Sequence, residues 1–411
     1  MTSIIKISKG VEGSKKRRVH AQECWYKNLD LTAETALYYG FTPMETPVIT
    51  KDDIKKSRAI SEQESKTKEG EAPARFSVEE KVAIIRLYTE KKMEHLPQPV
   101  MLYFGKPILL EDEGRKTAGK ERTVSLEIIG TSKSIAEALL IKTAFEILKE
   151  QGVENLFVHI NSIGDRDSVA RFTRELTAYY RKNIEILPTH CRQIFKKDVF
   201  DLMACQNEKC RIIKEDAPKS VSFLSELSRE HFKEVLEYLE ILQIPYEIDH
   251  FLVGNRAFSC QTIFEINNPE SRKICKPLGI GIRYGNIGKK LGMKNDLPGV
   301  GLRLTFKETN ECKNLKYDKP KIYFIQLGFE AKMKSLKIIE ILRQAKIPTH
   351  QAISRDKLIS QLSVAENMKI AYTIIVGQKE ALEETAIVRD MSNRSQDTIK
   401  ICDLPKYLKK L

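Results

Sequence analysis

No apolar run in the 411 residues approaches the roughly 20 that a membrane helix needs, which excludes an α-helical span. In the opening stretch MTSIIKISKGVEGSKKRR the basic cluster follows the short apolar segment. That is the reverse of a secretory signal, so the cytoplasm is the expected compartment. Cysteine is sparse: 8 thiols scattered through a long chain fall far below the density of a disulfide scaffold, and reduced thiols are the expectation. The glycine-rich segment GIGIRYGNIGKKLG lacks the Lys-Ser/Thr ending of a phosphate loop. His190, Cys191, Cys205 and Cys210 are the right residue types for a metal, but the four-residue gap in CQNEKC is loose for zinc, and no metal site is expected.

What the chain does have is charge: 30% charged residues and a formal balance of +13. Lysine and arginine that neutralise phosphates release condensed counterions, so this balance permits a polyanionic partner. It describes a solvated lysine-rich surface equally well. With 41% hydrophobic residues the chain can bury a large apolar area, and its length suggests two to four domains.

Three regions follow one another. Residues 1–135 mix short apolar segments, such as TPMETPVI and PVMLYFGKPILL, with the polar stretch at 51–75, which reads as a flexible insertion. SIAEALLIKTAFEILKEQG has helical spacing and ends at Gly152; NLFVHINSIGD then has strand character, with a turn at Gly164 and Asp165. SELSREHFKEVLEYLEILQ is a second amphipathic helix, and a strand is expected from about Pro245. From Pro320 onward strands alternate with helices: KIYFIQLG, EAKMKSLKIIEILRQAK, SRDKLISQLSVAENMK, AYTIIVG. That pattern predicts a separate α/β domain at 320–411, with KETNECKNLKYDKP, which contains Cys312, as its linker.

The fragments EIIGTSKSIAEA, HINSIGDRD, DAPKSVSFLSELSREHF, IPYEIDHFLV with TIFEI, GIRYGNIGKKLG with LPGVG, and KLISQLSVAENMKIAYTIIVG with VRDM occur in the order found in histidyl-tRNA synthetases. TPMETPVI resembles the first motif of class II synthetases. The chain is therefore similar to that family along most of its length. The resemblance implies an α+β fold: a class II antiparallel sheet flanked by helices over about 1–315, a helical insertion at about 168–235, and an anticodon-binding-like α/β domain at 320–411. It also implies a homodimer.

The family's reaction joins histidine to ATP, with Mg, and then moves the aminoacyl group to tRNA, so fixed arginines must hold the phosphates. Three of those positions depart from the family pattern. In YFGKPILLE, Tyr103, Gly105 and Glu111 match the second motif, but its arginine falls on Leu109. In LVGNRAFSC the histidine-specific arginine falls on Gly254, Ala257 replaces an aspartate, and Phe258 and Ser259 replace paired tyrosines. After PGVGLRL, the third motif's arginine becomes Glu308, with Lys307 beside it on what would be a helix. Arg256, two residues after Gly254 and about 7 Å along a strand, is a candidate replacement. Arg115, Lys120 and Arg122 could rebuild part of a phosphate site.

On the amino-acid side the resemblance leaves Glu127, Arg283 and Tyr284 as substrate-binding remnants. Thr123 stands for a glutamine, Ser77 for a glutamate and Gly285 for an aspartate. Losing one preorganised donor costs about 3 kcal/mol, and three losses plausibly exceed a millionfold in rate. The expectation is thus a catalytically inactive, synthetase-like protein that needs no cofactor and binds tRNA or another structured RNA through a basic surface including Lys357, Arg389 and Arg394. Two other readings stand beside it. One is a divergent active histidine–tRNA ligase using ATP and Mg; the other is a regulatory subunit with a protein partner, resembling that of ATP phosphoribosyltransferase.

Overall fold

The structure is a computed structural model and describes residues 24–62, 77–110, 121–203, 205, 207–254, 258–274, 276–310, 314–351 and 356–411. Its strands in chain order are β1 (Cys24–Leu29), β2 (Thr42–Met44), β3 (Val100–Phe104), β4 (Glu121–Ile129), β5 (Phe157–Gly164), β6 (Tyr246–Ile248), β7 (Ser259–Asn267), β8 (Gly279–Tyr284), β9 (Gly299–Lys307), β10 (Leu315–Asp318), β11 (Ile322–Gln326), β12 (Thr349–Gln351), β13 (Tyr372–Val376), β14 (Thr385–Asp390) and β15 (Gln396–Lys400). The principal sheet has eight strands in the order β2-β3-β4-β9-β8-β7-β5-β6. Only its outer pairs, β2 with β3 and β5 with β6, are parallel.

Strand periodicity of two assigns the sheet's faces. Val124, Leu126 and Ile128 of β4, with Val300, Leu302 and Leu304 of β9, turn toward one cluster of buried residues. Helices Leu31–Tyr38, Ile135–Glu150 and Glu226–Ile241 contribute to the same cluster. Ile129, Ile263, Ile282 and Tyr284 face a second cluster, completed by the helix Val78–Glu90. The ring of Phe264, the cross-strand partner on β7, demands glycine at Gly281, where a Cβ would lie 2.0 Å from it. The described architecture is the α+β one expected, an antiparallel-rich sheet flanked by helices.

A second, five-stranded sheet, β12-β11-β13-β14-β15, is parallel at β12-β11-β13 and antiparallel beyond. The helix Phe329–Gln344 and the turn after it meet the first part of the chain through a shared buried cluster and through polar contacts: the Tyr39 hydroxyl donates to Glu340 at 2.5 Å, Arg343 to Glu150 at 2.9 Å, and Lys346 to Glu34 at 2.9 Å.

Several elements differ from expectation. Lys51–Glu62, read as part of a flexible insertion, is a helix. Its inward face carries Asp53, Ser57 and Ile60, and Asp53 is held by Arg86 at 3.0 Å. An ion pair supplies there what an apolar stripe normally would. Residues 63–75 of that stretch lie outside the described residues. The segment read as a linker contributes β10, which pairs with β1; Cys312 is outside the described residues. Lys307 is the last residue of β9, not part of a helix, and Glu308 follows the strand's end. Asp165, read as a turn residue, caps the helix Arg166–Lys182 by accepting from the Ser168 amide at 2.9 Å.

Candidate functional site

The register of the central strands sets Glu127 of β4 against Gly301 of β9, and Gly299 of β9 against Tyr284 of β8. Glu127 and Tyr284 thereby meet on one face of the sheet. The helix Val78–Glu90, started by the Ser77 hydroxyl that accepts from the Glu80 amide at 3.1 Å, lays Lys81 over them. The Lys81 ammonium donates to Glu127 Oε1, the Tyr284 hydroxyl donates to Glu127 Oε2 at 2.8 Å, and Lys81 Nζ sits 4.9 Å from the centre of the Tyr284 ring. All three residues have 0% exposure.

Space in this cluster is fully used. A Cβ on Gly301 would come within 2.3 Å of both Glu127 and Lys81, and one on Gly299 within 2.6 Å of the Tyr284 ring. Burial, and then the neighbouring Glu127, push the Tyr284 phenol well above its ordinary value, so it stays a donor. Beside it Arg303 pairs with Glu80 at 2.7 Å; burial raises the Glu80 carboxyl and Arg303 opposes that rise. Glu127 and Tyr284 come together as the resemblance implies, but the Glu127 carboxylate already holds a cation and a hydroxyl donor.

Arg283 belongs to a different network on the opposite face. Its Nε donates to Glu137 at 2.5 Å, and its other nitrogens donate to the carbonyls of Thr131 and Lys133 at 3.0 Å each. His231 contacts the same carboxylate at 2.8 Å. Burial would raise the Glu137 carboxyl, but Arg283 and His231 outweigh it and hold it down at about 2. Arg283, named with Glu127 and Tyr284 as a substrate remnant, does not join them: it ties β8 to the segment before the helix Ile135–Glu150. Gly285 lies where β8 has ended, with the Cys260 sulfur nearest to any Cβ added there, at 3.6 Å.

At the three arginine positions the described residues offer phosphate no cation. Leu109 is half-buried, and its carbonyl accepts from the Ile49 amide at 2.8 Å. Gly254 is buried, and a Cβ there would stand 2.6 Å from Ser259 Oγ and 2.9 Å from Ile263. Glu308 is ion-paired with Arg122, which also donates to Asp30 at 2.7 Å and to the Tyr103 hydroxyl at 3.2 Å. Arg122, considered as part of a rebuilt phosphate site, is thus neutralised between two carboxylates. Thr123 closes against Thr305 across β4 and β9, their hydroxyls 3.2 Å apart. Arg256, Ala257, Glu111, Arg115 and Lys120 lie outside the described residues. Among the described residues, the arrangement does not fit a magnesium-bound triphosphate, and no step is derived through one.

The three RNA-binding candidates separate. Lys357 precedes the helix Leu358–Asn367, whose Gln361 donates to the carbonyl of Gln326 at the C-terminal end of β11. Arg389 pairs with Thr373 at the opposite end of the sheet, and Arg394 lies in the following β14–β15 turn. The Arg389 Nε is buried without a hydrogen-bond partner, while Lys357 and Arg394 are exposed. Arg389 and Arg394 share one end; Lys357 does not.

Lys81, Glu137 and His231 were not anticipated. A signal existed for Lys81: Val78, Lys81, Val82 and Ile85 recur at helical spacing, so the lysine stands on the apolar stripe. The cysteines set aside on spacing also converge, Cys191, Cys205 and Cys210 lying within 4.8 Å of one another at their sulfurs.

The described residues thus form an antiparallel-rich sheet with a buried ion pair at its centre, followed by a smaller mixed sheet. Residues 321–411 match the family model of the anticodon binding domain. The histidine–tRNA ligase of Desulforamulus reducens is 25% identical over 94% of this chain and 95% of its own, and that of Halothermothrix orenii 27% identical over 91% and 92%. The crystal structure of apo S. aureus histidyl-tRNA synthetase is 23% identical and covers 92% of this chain and 93% of its own, with a TM-score of 0.49. Over nearly its whole length the chain is thus similar to histidine–tRNA ligases.

Proposed function

We propose that this chain is a noncatalytic member of its family that binds tRNA or another structured RNA and forms no histidyl adenylate. The observation that carries this reading is the buried Lys81–Glu127–Tyr284 cluster. The two residues expected to receive the amino acid are instead occupied by a lysine of the chain itself. The state of the arginine positions supports it further: Leu109 is apolar, Gly254 has no room for a side chain, and Glu308 is anionic and paired.

RNA binding is carried over from the anticodon-binding module, whose Arg389–Arg394 end is the surface we assign to it. The working form is a cytoplasmic homodimer, the active synthetase or another protein being a possible further partner. Histidine-dependent exchange of pyrophosphate into ATP tests the first half: background-level exchange from folded protein is expected, and exchange near that of a normal synthetase would refute it. Binding to tRNA, expected to weaken steeply between about 50 and 200 mM salt, tests the second half; affinity that is absent or indifferent to salt would refute it.

A working histidine–tRNA ligase using ATP and Mg is the second reading. It is favoured by the end-to-end coverage of relatives bearing that name. The exchange assay decides between the two.

A further inference from the structure

The residues between β5 and β6 build a helical unit with its own buried cluster, centred on Phe172, Tyr180, Phe200 and Met203. Three cysteines enter that cluster from different segments. Cys191 is on the helix Thr189–Lys197, Cys205 in the loop that follows, and Cys210 on the helix Glu208–Glu215. Their sulfurs all lie within 4.8 Å of one another, and Cys191 and Cys205 are 3.7 Å apart. Sulfurs at the corners of a tetrahedron with zinc–sulfur bonds of about 2.3 Å are about 3.8 Å apart. One edge of the triangle already has that length, and the others need no more than small rotamer changes.

We propose that Cys191, Cys205 and Cys210 form a three-thiolate site for a divalent metal ion of zinc's softness, leaving a fourth position to water. The proposal stands independently of whether the chain is a ligase. Cys191 and Cys210 are buried, whereas Cys205 is half-exposed and gives the ion a way in. Binding replaces three thiol protons with one dication, releases three protons and leaves one net negative charge.

The surroundings can balance that charge. The Lys214 ammonium reaches into the same unit, donating to the carbonyls of Met203 and Cys205 at 3.3 Å each, and sits 4.7 Å from the centre of the Phe251 ring. A helical unit with so small a core is also where a metal staple adds most, because apolar burial alone supplies little.

The test uses the full-length reduced protein, stripped of metal with a chelator and titrated with Co²⁺ and then Zn²⁺. One ion per chain is expected, with sulfur-to-cobalt charge-transfer absorption that Zn²⁺ displaces. C205S and C210S are each expected to weaken binding by about 100-fold or more, since disturbing even outer partners of a metal site costs 10- to 100-fold. C402S, on the exposed Cys402 outside the unit, should bind as the parent does. Circular dichroism of each variant separates lost ligation from lost folding. No charge-transfer band in the folded parent, an undiminished affinity in folded C205S, or a Cys191–Cys205 disulfide that forms readily in protein taking up no metal when reduced would each overturn the site.

Discussion

Lys81→Met keeps most of the buried stem and removes only its charge, so it isolates the ion pair at the centre of the sheet. Lys81 and Glu127 are both at 0% exposure, and no solvent reaches the carboxylate left behind. Removing one partner of a buried pair costs about 3–5 kcal/mol, because the remaining charge is uncompensated. The Tyr284 hydroxyl, at 2.8 Å, still donates to that carboxylate and limits the loss to the lower part of the range. For a chain of this length the loss corresponds to a fall of about 3–5 °C in the midpoint of thermal unfolding. Glu127→Gln added to Lys81→Met removes the stranded charge, so the double variant should be more stable than Lys81→Met alone. The two changes should be non-additive by about 1–3 kcal/mol. Thermal and urea unfolding followed by far-ultraviolet circular dichroism would measure all four proteins. A Lys81→Met protein within 1 kcal/mol of the parent, or a double variant whose loss is the plain sum of the single ones, would refute the claim that a buried ion pair holds this pocket closed.

Restoring the family's arginines one at a time should not restore the reaction. Gly254→Arg must displace Ser259 and Ile263, and a stability loss of about 1–3 kcal/mol with no gain in pyrophosphate exchange is expected; measurable exchange would contradict this. The pH profile tests a separate carboxyl. Burial, then Asp249, raise Glu265 to about 7, so the folded state holds a proton there that the unfolded state has released. Stability through this group is therefore full below the ordinary carboxylate range and declines as pH rises through about 4.5 to 7, by at most about 3 kcal/mol. Glu265→Gln should flatten that decline in urea unfolding; an unchanged slope would show that the carboxyl titrates normally.

The order and type of the main elements were legible because they rest on periodicity. The helix Ile135–Glu150, strand β5 and the alternation of β11 to β13 all carry their spacing in the sequence. What was not legible depends on pairs distant in sequence. Lys51–Glu62 reads as disordered until Asp53 meets Arg86, and Leu315–Asp318 reads as a linker until β1 lies beside it. The candidate site divides in the same way. Glu127 and Tyr284 could be found by motif, but that Lys81 fills the space between them, or that Arg283 is consumed by Glu137, depends on a helix crossing the sheet at one place. Even so, a lysine on an apolar stripe is a sequence-level sign of a buried cation. For the cysteines, spacing gave no sign that the sulfurs of Cys191, Cys205 and Cys210 lie within 4.8 Å of one another, since that depends on how separate helices pack.

The glycine at 301 leaves the room in which Lys81 meets Glu127. A binding pocket filled by a diffusing ligand gains stability in proportion to the logarithm of that ligand's concentration, so the protein weakens when the ligand runs short. Here the occupant is carried on the chain at a fixed local concentration, and a Cβ on Gly301 would strike it at 2.3 Å. On the proposed reading, the strength of the sheet's centre does not follow the concentration of any free amino acid.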